Sequence, residues 1–157
     1  MIIKQLVDED FVNYKTPSMY IGFPKCDFKC ERECGLKMCQ NSVLAASKSI
    51  HINTEKIIKR YLLNDITKSI VLAGLEPFDT YDQLIEFVST VRNCTLDDIV
   101  IYTGYYKHEI INEINEISKY KNIVVKYGRY IPDSKKIYDE VLGVTLASEN
   151  QYAEKIS

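Results

Sequence analysis

The sequence has few of the features that would indicate a membrane protein, a nucleic-acid-binding protein or a disordered chain. Its 157 residues include no tryptophan, 6 glycines and 4 prolines, a composition that excludes collagen-like repeats and linker-rich disorder. No window approaches the roughly 18 consecutive apolar residues of a membrane span, and the acidic start is unlike a signal peptide. Basic residues (20) do not exceed acidic residues (22), so there is no surplus of positive charge for a phosphate backbone. We therefore expect a cytoplasmic protein whose partners are neither nucleic acids nor membranes.

Several common catalytic signatures are also missing. There is no Ser-His-Asp pattern, no phosphate-binding loop and no GxGxxG, so nothing supports a hydrolase, a kinase or a nicotinamide-dependent enzyme. His51 and His108 stand alone in the sequence, and each is expected at the surface or at a helix end. Cys94 is far from the other cysteines and is expected to be a small buried residue.

The hydrophobic pattern predicts an alternation of strands and helices in one domain that spans residues 1–157. Short β-branched or apolar runs that end at Gly, Pro or Thr-Gly are typical of buried parallel strands. The predicted strands are Ser18–Phe23, Ser69–Ala73, Ile99–Tyr102 and Asn122–Tyr127, with a further candidate at Val141–Leu146.

Apolar residues at helical spacing fill the gaps between these strands. The three stripes contain Ile57, Ile58, Tyr61 and Leu62, then Leu84, Ile85, Val88 and Val91, then Ile110, Ile111, Ile114 and Ile117. Thr80 and Gln83 fit a capping box at the start of the second helix. Right-handed crossovers would then give an α/β fold with a mainly parallel sheet. Because a complete eight-fold barrel needs about 250 residues, we expect at most a partial βα barrel.

Four of the five cysteines are crowded directly after the first of these strands. Cys26, Cys30, Cys34 and Cys39 are separated by three, three and four residues. In a reducing compartment such a cluster indicates metal ligands or catalysts rather than disulfides. Zinc ribbons use two separated knuckles, so one compact loop favours an iron–sulfur cluster. Four thiolates would close such a cluster and three would leave one iron open, and the spacing leaves both possibilities open.

The cysteine loop resembles the three-cysteine motif of radical S-adenosylmethionine enzymes. Cys26 and Cys30 match the first gap of that motif, and Cys39-Gln40-Asn41 is similar to the Cys-x-Asn of the activating proteins of anaerobic ribonucleotide reductase. The resemblance implies that Cys26, Cys30 and Cys39 hold a [4Fe–4S] cluster. Cys34 is then spare, the alternative third ligand or a fourth ligand.

Other segments resemble the same activating proteins in the same order. Gly74-Leu75-Glu76-Pro77 is similar to the Gly-Gly-Glu-Pro segment that binds the amino group of S-adenosylmethionine, and Tyr102-Thr103-Gly104-Tyr105 matches their Tyr-Thr-Gly-Tyr. The resemblance therefore implies that Gly74, Glu76, Thr103 and Gly104 bind the cosubstrate. Segments 127–131 and 143–151 are similar to the Asp-Gly-Arg-Phe and Ser-x-Asn-Gln signatures of these activating proteins, although no role for Asn150 and Gln151 follows from the sequence.

Taken together, the resemblance implies a fold of the radical S-adenosylmethionine type and a glycyl-radical activase. It implies a [4Fe–4S] cluster and S-adenosylmethionine as cofactors. The implied partners are the large subunit of anaerobic ribonucleotide reductase and an electron donor such as flavodoxin or ferredoxin. Two alternatives remain, namely the same radical chemistry on a small molecule or another protein, and a non-enzymatic module in which four cysteines bind zinc or a closed cluster.

Overall fold

A computed structural model describes residues 1–157. The strands are β1 (Ile2–Ile3), β2 (Gln5–Asp10), β3 (Ser18–Phe23), β4 (Ile50–His51), β5 (Ser69–Gly74), β6 (Asp98–Tyr102), β7 (Ile123–Tyr127), β8 (Ile137–Asp139), β9 (Val144–Leu146) and β10 (Tyr152–Lys155). The helices are α1 (Lys29–Cys34), α2 (Ser42–Ala46), α3 (Thr54–Leu62), α4 (Tyr81–Arg92) and α5 (Ile111–Ile117), with 3-10 turns at Pro77–Thr80 and Lys107–Glu109. None of the helices has the length and apolar character needed to span a bilayer.

Six strands form one mixed sheet in the order β10-β7-β6-β5-β3-β2. The three central pairings, β3 with β5, β5 with β6 and β6 with β7, are parallel. The two edge strands, β2 and β10, pair antiparallel to their neighbours. The parallel strands are the four that the apolar runs predict, and helices α3, α4 and α5 lie in the connections between them. A partial barrel of the radical S-adenosylmethionine type stays a prediction.

The larger hydrophobic core lies on the face of the sheet that the three helices cover. It contains the buried stripes of α3, α4 and α5 together with alternate residues of the strands, among them Ile21, Leu72, Ile101 and Val125. The periodicity therefore identified the packing faces, apart from Leu62 and Ile111, which are exposed.

The opposite face of the sheet carries no helix. Its smaller core joins Val71, Ala73, Val100 and Val124 of the strands to Tyr14, Leu142, Leu146 and Ala153. The cover comes from the loop before β3 and from the β8–β9 hairpin. This face leaves room for a cavity near the carboxyl ends of the parallel strands.

Two local predictions are wrong, and a third is correct only in part. Thr80 precedes α4, but its side chain makes no cap, and the Gln83 amide instead pairs with the backbone of Ile2. The candidate strand Val141–Leu146 is only the short β9, which pairs with β8 outside the main sheet. Cys94 is exposed because it lies just beyond the end of α4.

Candidate metal centre

The cysteine loop starts where β3 ends and contains one short helix, α1. Phe28 before the helix and Gly35 after it both have left-handed backbone conformations, with φ of 55° and 70°. The Gly35 amide donates to the Glu31 carbonyl and closes the last turn. A residue without a side chain tolerates this conformation best, so the chain reverses at Gly35 and returns toward the start of α1.

Glu31 fixes the returning chain. One oxygen of its carboxylate accepts hydrogen bonds from the amides of Met38 (3.0 Å) and Cys39 (2.9 Å). A carboxylate that accepts amide hydrogen bonds makes a charge-assisted contact, which is stronger than a neutral one. Cys39 is therefore held against the helix that carries Cys30, although eight residues separate the two cysteines.

Cys34 lies apart from the other three cysteines of the loop. Its side chain is exposed, and its sulfur contacts the carbonyls of Glu31 and Leu36 and the sulfur of Met38. Cys26, Cys30 and Cys39 are partly buried and line one cavity, and Cys34 does not.

The cavity lies at the carboxyl ends of the parallel strands and has a volume of about 350 Å³. Ligands of open α/β sheets bind at this edge, and the volume is within the range of about 300–1,000 Å³ for small-molecule sites. Besides the three cysteines, the lining includes Asn41, Gly74, Glu76, Thr103, Gly104, Lys126 and Gln151. The structure thus brings together every residue that the sequence proposed for the cluster and the cosubstrate, except Cys34.

Gly74 and Asn41 connect the cysteine loop to the end of β5. The Asn41 side-chain amide donates to the Gly74 carbonyl at 2.5 Å, and the Glu76 amide donates to the Lys25 carbonyl at 2.7 Å. Gly74 itself has φ of 87° and packs directly against the backbone of Gly22 and Phe23. The segment that carries Glu76 is therefore fixed relative to the segment that carries Cys26.

The Glu76 carboxylate is buried, with 5% of its surface exposed. It accepts hydrogen bonds from the amides of Gly104 (2.8 Å) and Phe78 (3.2 Å). Burial raises the pKa of Glu76 to about 7, although these hydrogen bonds act in the opposite direction. A buried carboxylate of this kind gains from a positively charged ligand, because the ligand replaces the solvation that burial removed.

The three thiols of the cavity have the donor chemistry that an iron–sulfur cluster requires. Burial raises the pKa of the Cys26 thiol to about 12, although the Phe28 amide donates to its sulfur at 3.2 Å. Burial also raises the pKa of Cys30. Burial therefore disfavours the thiolate forms of Cys26 and Cys30 when no cation is present, and a metal that binds thiolates offsets this penalty. The residues present fit a cluster held by three cysteines.

A network of charged side chains holds the outer side of α1. The Arg129 guanidinium is 4% exposed and forms ion pairs with Glu109 (2.7 Å) and Glu33 (2.9 Å). Glu109 also pairs with Lys29. Two carboxylates thus balance the buried guanidinium, as a buried charge requires, and the network ties both ends of α1 to the segment after β7.

Residues 144–147 and Gln151 line the cavity on its C-terminal side. The side-chain oxygen of Gln151 accepts hydrogen bonds from the amides of Ala147 (3.1 Å) and Ser148 (3.2 Å), and its amide group donates to the Gly128 carbonyl at 3.2 Å. Asn150 donates to the Arg129 carbonyl at 3.0 Å. These two residues hold the last loop on the end of β7, a role that the sequence alone did not provide.

Comparison with known proteins agrees with this chemistry. The sequence matches the family described as "4Fe-4S single cluster domain" over residues 19–152, which is most of the chain. The chain belongs to the 4Fe-4S single cluster domain family. The matched range of this 4Fe-4S domain includes all four cysteines of the loop and every residue that lines the cavity except Val12 and Asn13. No curated protein and no solved structure shows a significant match to it.

Of the residues of the 4Fe-4S domain that shape the cavity, the sequence did not point to Glu31 or Lys126, and it pointed to Asn41 only within the Cys-x-Asn resemblance, with no role. Glu31 and Asn41 act through backbone hydrogen bonds, and no spacing rule identifies such contacts. Lys126 does have a signal in the sequence, since it is a charged residue inside the β-branched run NIVVKY. A lysine within a strand that is buried on both faces is rare unless something pairs with it.

Proposed function

We propose that this 4Fe-4S domain is a radical S-adenosylmethionine activase that generates a glycyl radical on the large subunit of anaerobic ribonucleotide reductase. The observation that carries the proposal is one cavity lined by Cys26, Cys30, Cys39 and Glu76, with Cys34 outside it. Three protein thiolates leave one iron of a [4Fe–4S] cluster free for another ligand. Flavodoxin or ferredoxin is the proposed electron donor.

The residues of the cavity divide the proposed work. Cys26, Cys30 and Cys39 would hold the cluster, which when bound and reduced supplies the electron that cleaves S-adenosylmethionine to methionine and a 5′-deoxyadenosyl radical. Glu76 would pair with the methionyl ammonium group, and the strand end at Thr103 and Gly104 would contact the nucleoside. The buried position of Glu76 strengthens such a pair, because water competes weakly for it.

The size of the cavity favours a macromolecular substrate over a small molecule. A volume of about 350 Å³ is near the lower end of small-molecule sites, so a nucleoside cosubstrate leaves little room for a second small ligand. Exposed apolar side chains lie near the cavity, at Phe11 and Val12 in the loop after β2, at Leu36 in the cysteine loop and at Val43 in α2. These features support a protein loop as the substrate.

The proposal is tested by anaerobic reconstitution with iron and sulfide. Electron paramagnetic resonance of the reduced protein is recorded with and without S-adenosylmethionine, and 5′-deoxyadenosine is quantified. We expect the cluster spectrum to change on addition and 5′-deoxyadenosine to form. Incubation with the large reductase subunit is expected to give a glycyl radical signal on that subunit. A cluster that ignores S-adenosylmethionine, or a protein that takes up only zinc, would refute the activase and support a binding module.

Two substitutions make the test specific to the cavity. Glu76→Gln removes the charge that faces the ammonium group, and we expect S-adenosylmethionine to bind roughly 10- to 100-fold more weakly, which corresponds to about 1.5–3 kcal/mol for a charge-assisted hydrogen bond. Glu86→Gln on the exposed side of α4 is the matched control and is expected to bind as the parent protein does. Equal affinity in the two variants would remove Glu76 from the proposed site.

A further inference from the structure

Lys126 is a buried cation in the cavity. It lies in β7 opposite Tyr102 of β6, and 7% of its surface is exposed. Its ammonium group donates to the Gly128 carbonyl at 2.8 Å, lies 3.5 Å from the Thr103 carbonyl, and is 6.0 Å from the centre of the Tyr102 ring. The strand alternation places it on the sheet face of Val124, away from the helices.

No carboxylate of the protein pairs with this cation. The chain has seven ion pairs, and Lys126 takes part in none of them. Glu76 lines the same cavity, but its oxygens accept hydrogen bonds from backbone amides instead. Burial lowers the pKa of Lys126 to about 8, and the nearby Glu76 and Cys30 act in the opposite direction. Carbonyl dipoles compensate only part of the cost of burying an ammonium group.

The missing negative charge is of the kind that a cluster brings. Lys126 shares the cavity with Cys26, Cys30 and Cys39. A [4Fe–4S] cluster held by three thiolates is net negative, and reduction by one electron makes it more negative. Charge near a cluster is one of the properties that set its reduction potential. A cation beside it stabilises the reduced form more than the oxidised form.

We propose that Lys126 is the counter-charge of the iron–sulfur cluster and raises its reduction potential. The inference rests on the ligand set of the proposed function, and it does not depend on the cleavage of S-adenosylmethionine. In this role Lys126 makes the cluster easier to reduce by a cellular electron donor. It acts through its charge, so a neutral side chain of similar length abolishes the effect and another cation preserves it.

The test is a redox titration of the reconstituted protein in the absence of S-adenosylmethionine, with the reduced cluster measured by electron paramagnetic resonance. Lys126→Met removes the charge and keeps the length, and Lys126→Arg keeps the charge. Lys155→Met, at an exposed ion pair on β10, is the control. At a fixed potential we expect the ratio of reduced to oxidised cluster to fall about tenfold in Lys126→Met, equivalent to about 59 mV for one electron. The ratio should change less than threefold in the other two variants.

If the ratio of reduced to oxidised cluster in Lys126→Met lies within threefold of the ratio in the parent protein, the proposal is overturned. If Lys126→Met assembles no cluster, the potential of Lys126→Gln decides in the same way. Loss of iron from both neutral variants, with retention in Lys126→Arg, would support the counter-charge. Loss of iron from all three variants would show that the shape of the lysine side chain matters rather than its charge, and would overturn the proposal. The response to S-adenosylmethionine is measured separately. If the potential shifts in Lys126→Met but the cluster spectrum of the parent protein does not respond to S-adenosylmethionine, the role of Lys126 is supported and the activase is refuted.

Discussion

Substitution of Gly74 by alanine should damage both the fold and the cavity. Gly74 ends β5 with φ of 87°, and a Cβ atom there would lie 2.6 Å from the Gly22 Cα and 2.8 Å from the Phe23 nitrogen. Both atoms belong to the backbone of the paired strand β3 and cannot rotate away. Gly35 provides the matched control, because its φ is 70° and a Cβ there would meet nothing within 4 Å.

The two substitutions share one cost and differ in another. A left-handed conformation costs an alanine about 1–2 kcal/mol, and this applies at both positions. Overpacking against fixed atoms adds about 1–3 kcal/mol, and only Gly74→Ala incurs it. We therefore expect the free energy of unfolding to fall by about 1–2 kcal/mol in Gly35→Ala and by about 2–5 kcal/mol in Gly74→Ala.

Urea unfolding of the reduced, cluster-free protein under anaerobic conditions measures these losses, because the midpoint reports stability when the slope is unchanged. Gly74→Ala should also weaken the response of the reconstituted cluster to S-adenosylmethionine, since Gly74 accepts the hydrogen bond from Asn41 and leads to Glu76. Equal losses of stability in the two variants would show that the close contact with β3 costs nothing, and would refute the reasoning.

Two further predictions concern the cysteine loop and its charged support. Cys34→Ser should keep the full iron and sulfide content and the same spectrum, whereas Cys39→Ser should lose the cluster; the reverse result would make Cys34 the third ligand, and loss in both would indicate four ligands. Hydrogen bonding to Arg129, and also to Lys29, lowers the pKa of Glu109 to about 2 from its ordinary 4.5. The contribution of ionised Glu109 to the free energy of unfolding is therefore complete above pH 4.5 and is lost as the pH falls toward 2. Between those values the urea midpoint of the parent protein should fall more steeply than that of Glu109→Gln, and parallel curves would contradict the assignment.

The central strands were predictable because each has a strong local signal. Ser69–Gly74 is buried at every position, and an uninterrupted apolar run is the pattern of a strand covered on both faces. The edge strands gave no such signal. Gln5–Asp10 and Tyr152–Lys155 are largely polar and partly exposed, because an edge strand buries little and gains its order from pairing with a neighbour. Their place in the sheet is set by tertiary contacts that the local sequence does not encode.

The candidate site divides in the same way. Parallel strands bring their carboxyl ends to one edge, and the segments after Phe23, Gly74 and Tyr102 meet there and line one cavity. Lys126 was not expected, since the run NIVVKY reads as a buried strand and the charge inside it has no local explanation. The groups that compensate a buried charge are its neighbours in three dimensions, and the local sequence does not identify them.

The position of Cys34 outside the cavity illustrates why spacing along the chain does not predict which cysteines line it. Cys34 lies four positions after Cys30, and Cys39 lies nine positions after Cys30. Proximity along the chain therefore favours Cys34 as the neighbour of Cys30 in space. The fold reverses that order. Helix α1 ends at Cys34 and leaves its sulfur exposed, the left-handed Gly35 turns the chain back, and the Glu31 carboxylate fixes the Cys39 amide beside the helix. The long gap between Cys30 and Cys39 is thus closed by a glycine turn and a carboxylate, two ordinary local contacts that no cysteine pattern records.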